Sequence, residues 1–326
     1  MQKELILDAT VLETLVSAAV AAPSIHNTQP WRFHADEDTR TVEVHADLRR
    51  ALPITDPAGR ALHLSVGAAV LNLRVAAAHL GWDPVLHLLP TASDPVLLAS
   101  VRLAGPPRTP PAPGPDLYAS IGLRHSSRHP FTDQPVPDTV LDELVEAART
   151  EGAGLTRPGA TESARLLALT ADAELRRTMD PARLAETRLW LTDSNEGPFG
   201  IPYDALGPGD AGGRMPVRDF TGLERGHHQP PERFEEHPRL LLLSTRNDHP
   251  ADWLRAGQAL ERVLLLATLH GLRASMLYQA LEWDDLRWLL RDPSMAGESE
   301  PQMLLRIGYG LEGPATPRRP ANDATF

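Results

Sequence analysis

The sequence predicts an α+β protein built from two related halves. Three observations predict it. Short alternating apolar stretches are interleaved with long apolar helices. A helical pattern recurs without a gap at a constant offset of 190 residues. It aligns Gly67, Ala69, Ala77 and Gly81 with Gly257, Ala259, Ala267 and Gly271, and Val70 and Leu73 with Leu260 and Val263. Midway, Gly105 to Pro115 is Pro-rich and reads as a semi-rigid linker. Each helical copy follows a strand and an Asp-rich turn, and each leads through an acidic-Pro step, Asp94-Pro95 or Glu300-Pro301, into another strand. Chance similarity between two alanine-rich helices is the competing explanation. The expected organisation is a first half at 1–104, a linker at 105–116 and a second half at 117–326, packed as a pseudo-dimer through the small residues of the repeated helix.

The first helix is expected from about Thr10 to Ala22. Leu12, Leu15, Val16, Ala19 and Val20 fall at helical spacing there, and Pro23 stops it. A turn-rich segment runs from Ala22 to Trp31. Trp31 to Phe33 and Thr41 to His45 alternate as strands. Asp56-Pro57 opens a polar connection into a second helix, about Leu62 to Leu80, and Val96 to Leu103 is a further strand. In the second half, Asp138-Thr139 reads as the N-cap of a helix from Val140 to Arg149. Ser194 to Pro231 is dense in Gly, Pro, Asp and Arg with little periodicity; such stretches in compact domains are lids or disordered. Leu240 to Ser244 is an all-apolar strand, Asp252 to Leu272 a strong helix and Met303 to Ile307 a final strand.

Composition narrows the chemistry. The chain has 326 residues, 32 basic and 43 acidic, and a formal net charge of −11. That balance argues against a nucleic-acid partner. With no cysteine, disulfides, thiolate metal sites and thiol catalysis are excluded. Lys3 is the one lysine, which removes lysine Schiff-base chemistry from the core. The most apolar helical stretch, Arg262 to Leu272, is shorter than the roughly 20 residues of a membrane span, so no membrane partner is expected. Residues 16–22 look like a signal-peptide cleavage region, but Lys3 sits beside Glu4, and Asp8 and Glu13 interrupt what would be the apolar core; an amphipathic helix and a cytoplasmic protein are expected. No dinucleotide or P-loop glycine cradle, zinc-protease helix or nucleophile elbow is present. His227-His228 lie in the loop-rich stretch and read as solvated, so no metal is expected.

Two polar clusters remain. Pro23 to Trp31 places Ser24, His26, Asn27 and Gln29 on an irregular turn with prolines at both ends. It suits hydrogen bonding to the edge of a heteroaromatic ring, and equally a capping turn before a strand. Leu123 to Phe131 carries Arg124, Ser126 and Arg128, which project to one side in an extended chain. Two guanidiniums and a hydroxyl make a phosphate clamp, or else a solvated basic loop. Arg318-Arg319, between Pro317 and Pro320, would alone be a charged tail.

Together these clusters resemble the FMN-dependent nitroreductase family. Pro23-Ser24-x-x-Asn27-x-Gln29-Pro30-Trp31 matches that family's Pro-Ser-x-x-Asn-x-Gln-Pro-Trp motif. Arg124-His125-Ser126-Ser127-Arg128 is similar to its phosphate motif, and Leu305 to Tyr309 followed by Pro317-Arg318-Arg319 to its C-terminal strand and basic phosphate contacts. His26 before Asn27, the fused length and the motif order resemble the Acg-like branch. The resemblance implies a three-layer α+β nitroreductase-like fold and non-covalent FMN. Arg124, Ser126, Arg128, Arg318 and Arg319 would surround its phosphate, and Ser24, His26, Asn27 and Gln29 would lie near the ring and ribityl chain. Family members are homodimers whose two sites each combine both subunits, so one composite site per chain is implied, in a monomeric pseudo-dimer or weak homodimer. Where the family has a Glu-Gly pair facing flavin N5, this chain has Met276-Leu277-Tyr278-Gln279, so Tyr278 joins the expected contacts. The implied reaction uses NAD(P)H to reduce a nitroaromatic, quinone or similar acceptor. No side chain is required as catalyst; His26 is open to proton supply or to a structural hydrogen bond. The rival reading is a flavin-sequestering protein whose lid, packed down by Phe199, Ile201, Tyr203 and Leu206 and swinging on Gly207 to Gly213, covers the FMN.

Overall fold

A computed structural model describes residues 7–105, 115–193, 197–222, 229–291 and 299–326. Most of the expected linker, and residues 194–196 and 223–228 of the expected lid with His227-His228 among them, lie outside the described residues.

The chain opens with α1 (Ala9–Val20), capped by the Asp8 carboxylate, which accepts from the Val11 amide. Strands β1 (Trp31–Asp36) and β2 (Thr41–Ala46) form a hairpin. Helix α2 (Arg60–His79) follows; the Asp56 carboxylate accepts from the Ala61 and Leu62 amides at 3.0 and 2.9 Å. Strands β3 (Asp83–Leu88) and β4 (Leu97–Ala104) complete a four-stranded antiparallel sheet in the order β1-β2-β4-β3.

After α3 (Tyr118–Leu123) come α4 (Asp138–Thr150) and β5 (Gly154–Thr156). Pro137, not Asp138, is the N-cap of α4, and Asp138 is its first helical residue. Then α5 (Ala160–Thr178), α6 (Pro181–Arg188) and four short strands follow: β6 (Leu191–Thr192), β7 (Ile201–Pro202), β8 (Pro208–Asp210) and β9 (Gln229–Glu232). These pair as two parallel ribbons, β6 with β7 and β8 with β9. Next are β10 (Arg239–Thr245), α7 (Pro250–Leu269), β11 (Arg273–Leu277), α8 (Asp284–Leu289), β12 (Glu300–Gly308) and α9 (Ala321–Ala324). The second four-stranded antiparallel sheet has the order β11-β12-β10-β5.

The two sheets are wired alike. Leaving aside α5, α6 and β6–β9 between β5 and β10, and α8 between β11 and β12, each unit runs helix, strand, strand, helix, strand, strand, and the last strand sits between the second and the third. Each long helix ends the same way: Gly81 and Gly271 adopt φ +90° and +72°, and the next amide, Trp82 or Leu272, donates back to Ala77 or Ala267.

Helices α2 and α7 cross where Gly67 meets Gly257. A Cβ on Gly67 would lie 2.3 Å from the Leu254 carbonyl oxygen, and one on Gly257 would lie 2.1 Å from that of Leu64. The backbones touch because neither carries a side chain. One apolar core runs through this crossing from Phe33 and Val101 of the first sheet to Leu241 and Leu305 of the second. Helix α2 is the one described helix long and apolar enough to cross a membrane, and 78% of its apolar window is buried in this core. The second sheet is covered on both faces. Leu241, Leu243 and Leu305 point toward α7, while Leu240, Leu242 and Leu304 pack with Leu166 and Ala173 of α5. Helices α5 and α8 therefore add an outer layer to the expected three.

Candidate functional site

The turn after α1 is held in an unusual backbone conformation. His26, Asn27 and Gln29 have φ of 47°, 52° and 51°. Left-handed backbone costs a non-glycine residue about 1 kcal/mol or more, so the surroundings must impose it. They do so from several elements. Ser24 Oγ accepts from the Gln29 amide and Ser65 Oγ of α2 from the Ile25 amide. Asn27 Nδ2 donates to the Gly200 and Pro317 carbonyls at 2.8 and 2.9 Å, and Gln29 Nε2 donates to that of Pro198 at 2.7 Å.

The segment after α3 runs beside β11, where the Ser127 amide donates to the Ala274 carbonyl. The segment after β12 crosses it so closely that a Cβ on Gly313 would lie 2.2 Å from the Ser126 carbonyl oxygen. These three segments, the start of α2 and residues 201–220 enclose one cavity of about 150 Å³.

Of the ten residues expected at the site, Ser24, His26, Asn27, Arg124, Ser126, Arg128, Tyr278 and Arg318 line this cavity. Gln29 and Arg319 do not. They hold each other: Gln29 Oε1 accepts from the Arg319 amide, and Arg319 Nη2 donates to the Gln29 and Trp31 carbonyls. Asn27 is also fully engaged, since its Oδ1 accepts from Arg318 Nη1 at 2.9 Å. The clamp expected from Arg124, Arg128 and Arg318 is divided. Arg318 feels the charge of Arg124, whereas Arg128 feels that of Arg218.

Electrostatics sharpen the picture. Burial lowers Arg318 to about 9 and Arg128 to about 10, so both stay charged at neutral pH. Neither has a carboxylate in salt-bridge range among the described residues. Arg318 donates to Asn27, Thr316 and Pro317, and Arg128 donates to the Ala205 carbonyl and sits over the Phe220 ring. Burial first, then Arg218, Arg177 and Arg128, hold His26 well below its ordinary value, so the imidazole is neutral. Arg218 Nη1 can only donate, so Nε2 of His26 accepts and Nδ1 carries the proton. That Nδ1 is buried without a partner. Tyr278, pushed up by burial, stays protonated, and its hydroxyl accepts from Arg60 at 2.7 Å.

Sequence reasoning missed Arg218 and Arg306, both of which line the cavity. Arg218 pairs with buried Glu282. Arg306 stacks between Phe131 and Phe234 and pairs with Glu235 at 3.3 Å. An arginine inside the apolar strand Met303 to Ile307 was a usable signal; Arg218, in a stretch without periodicity, offered none. The expected lid contacts also shift. Ile201 lines the cavity, but Phe199, Tyr203 and Leu206 do not; Met215, Val217 and Phe220 do. The Gly207 to Gly213 run is tied rather than free to swing. A Cβ on Gly207 would lie 2.7 Å from that of Arg128, and the Asp210 carboxylate accepts from the Gly212, Arg214 and Met215 amides. No cluster of three metal-ligating side chains occurs among the described residues.

The nitroreductase family pattern matches residues 121–309, which contain the second sheet, α7 and the Arg124 segment. The chain belongs to the nitroreductase family. Two Mycobacterium tuberculosis (strain ATCC 25618 / H37Rv) relatives match almost end to end. One, provisionally named NAD(P)H nitroreductase Rv3131, is 33% identical over 96% of this chain and 90% of its own length. The other, provisionally named NAD(P)H nitroreductase acg, is 32% identical over 96% and 94%. Among solved nitroreductase structures, one with bound FMN from Bacteroides fragilis covers 63% of this chain and 94% of its own, at 15% identity and a TM-score of 0.37. The FMN- and NADPH-dependent nitroreductase NfnB from a Sphigopyxis strain covers 64% and 96%, at 20% identity and a TM-score of 0.38.

Proposed function

We propose that this nitroreductase binds FMN non-covalently in the cavity and uses NAD(P)H to reduce a nitroaromatic, quinone or similar acceptor. The observation that carries the reading is the pair of cavity-lining guanidiniums Arg124 and Arg318: among the described residues Arg318 has no carboxylate in salt-bridge range, and Arg124 has one only at 3.5 Å. Buried charges are normally paired, so the site is chemically fitted to an anion with several acceptor oxygens. Arg124 and Arg318 are assigned to the phosphate, with Ser126 beside them. The apolar wall of Leu64, Ala68, Leu260 and Phe220 suits a flat ring. FMN is preferred to FAD because the sequence offers a single anionic clamp and no adenylate motif. When bound, FMN supplies the hydride-transfer chemistry. The chain binds it, orients it and excludes water, and neutral His26 offers one hydrogen-bond donor. Gln29 and Arg319 act from behind by fixing the strained turn.

The two units are read as a duplication fused into a pseudo-dimer, with halves at 1–104 and 117–326 and one composite site, functioning as a monomer. The shared strand order, the paired glycine caps and the glycine crossing support this.

A second reading, flavin sequestration with little turnover, is favoured by one observation. Residues 201–220 wall the cavity and are fastened to it through Arg218, which bonds both His26 and Glu282. Rapid mixing of the FMN-loaded protein with NADPH and NADH decides between them. Reduction within seconds supports the enzyme; a flavin that stays oxidised supports sequestration. A protein that stays colourless with FMN refutes both.

A further inference from the structure

Glu261 lies on α7 behind the Arg124 end of the cavity, and it is 0% exposed. Its Oε1 is 3.5 Å from Arg124 Nε, and neither carboxylate oxygen has a hydrogen bond of normal geometry. Buried carboxylates are costly unless paired and hydrogen-bonded. Among the described residues this one has a single cation within ion-pair distance, loosely placed, and that cation also faces the cavity.

The groups that face Glu261 are few. Arg124 reaches it from the segment after α3, Asn72 from α2 and Arg318 from the C-terminal segment. Other acids on elements packed against α7 are committed elsewhere: Glu151 takes Arg74 and Arg262, and Glu143 takes His270. Burial pushes the Glu261 carboxyl up to about 7, against the pull of Arg124, Asn72 and Arg318. Its two protonation states are therefore close in energy near neutral pH.

We propose that Glu261 is the internal counter-anion of Arg124, and that it releases this cation by taking up a proton when the phosphate of FMN docks at Arg124 and Arg318. The inference rests on the phosphate assignment made above. A dianion arriving beside a carboxylate raises that carboxylate's proton affinity. By linkage, a group with a higher pKa in the complex than in the free protein takes up protons on binding. Affinity is then highest below the free value and falls as pH rises through it. The phosphate's own second ionisation, near 6, works in the opposite direction, so a decline above about pH 7 belongs to the protein.

The test is calorimetric titration of FMN, and separately of riboflavin, into cofactor-free protein in two non-phosphate buffers of different ionisation enthalpy. The wild type should take up a large fraction of one proton per FMN at about pH 7.5, and none with riboflavin. Its FMN affinity should fall by up to about tenfold between about pH 7 and about pH 8. E261Q, nearly isosteric, should show no uptake, a flat profile over that range and tighter binding at its alkaline end. Two results would overturn the proposal while leaving the phosphate site standing. One is wild-type preference for FMN over riboflavin without proton uptake, which needs no variant. The other is uptake that persists in E261Q, which gives the proton to His125. FMN binding no tighter than riboflavin removes the phosphate assignment and this inference with it.

Discussion

The two sheet units share one strand order but differ in their connections, most of all in the one that joins the first two strands. In the first, β1 passes to β2 through a tight turn at 37–40. In the second, residues 157–238 intervene between β5 and β10. That insertion carries α5 and α6, covers the second face of its sheet and supplies one wall of the cavity. Among the described residues no helix covers the outer face of β1 and β2, where buried and more exposed residues alternate and Phe326 packs on Arg32, His34 and His45. The units are thus alike where they support each other and unlike where a ligand would sit. The like parts meet in the core, and the unlike part supplies a wall of the cavity.

The harshest way to break this arrangement is at the shared crossing. Gly257→Val should cost about 3 kcal/mol or more, since no rotamer clears the Leu64 carbonyl, and a urea midpoint measures it. Gly67→Val should be equally severe, because the clash is mutual. A large inequality between them would show that the helices can separate from one side. Next is the asymmetric part. On the proposed phosphate assignment, Arg124→Ala should remove a charge-assisted bond worth about 1.5–3 kcal/mol and weaken FMN binding roughly tenfold to a hundredfold in a fluorescence titration; it also leaves buried Glu261 without its ion-pair partner, so a urea midpoint of the variant is measured beside it. Helix starts give smaller effects. Asp56→Ala, which strips two amide bonds from the start of α2, should lower stability by about 1–2 kcal/mol. Asp252→Ala should cost less, since the one bond to the His249 amide is 3.3 Å and Pro250 already presets the first turn. The smallest and most symmetrical test is Gly81→Ala against Gly271→Ala. Both sites have open space and positive φ, so each should lose about 1 kcal/mol, and equal melting shifts would show the two caps to be interchangeable.

Legibility followed how strongly each element's pattern depended on burial. The helices α1, α2, α4 and α7 and strands β1, β2, β4, β10 and β12 were all anticipated, because each presents a clear apolar face or is apolar throughout. Helix α5 was invisible although it is 19 residues long. Its buried seam is Leu166, Thr170, Ala173 and Arg177, so only half of it is apolar. Strand β3 escaped because Pro84 reads as a breaker, which an edge strand tolerates. At the site, motif residues were legible as chemistry but not as division of labour. Nothing in the order Asn27, Thr28, Gln29 says that both amides are spent on carbonyls of distant segments, 173 and 169 residues away. Glu261 was hidden for the converse reason: one acid on a long helix looks solvated until a second helix is laid against it.

The glycine crossing has a bearing on the cavity itself. Leu64 and Ser65 stand just before Gly67, and Leu260 stands one turn after Gly257; all three line the cavity. The distance between those side chains is therefore set by two missing Cβ atoms rather than by anything the cavity contains. The crossing acts as a ruler for the floor of the site. A methyl group added there would be felt as a wider gap beneath the ligand, and the breadth of molecules that fit could change without any substitution in the cavity wall.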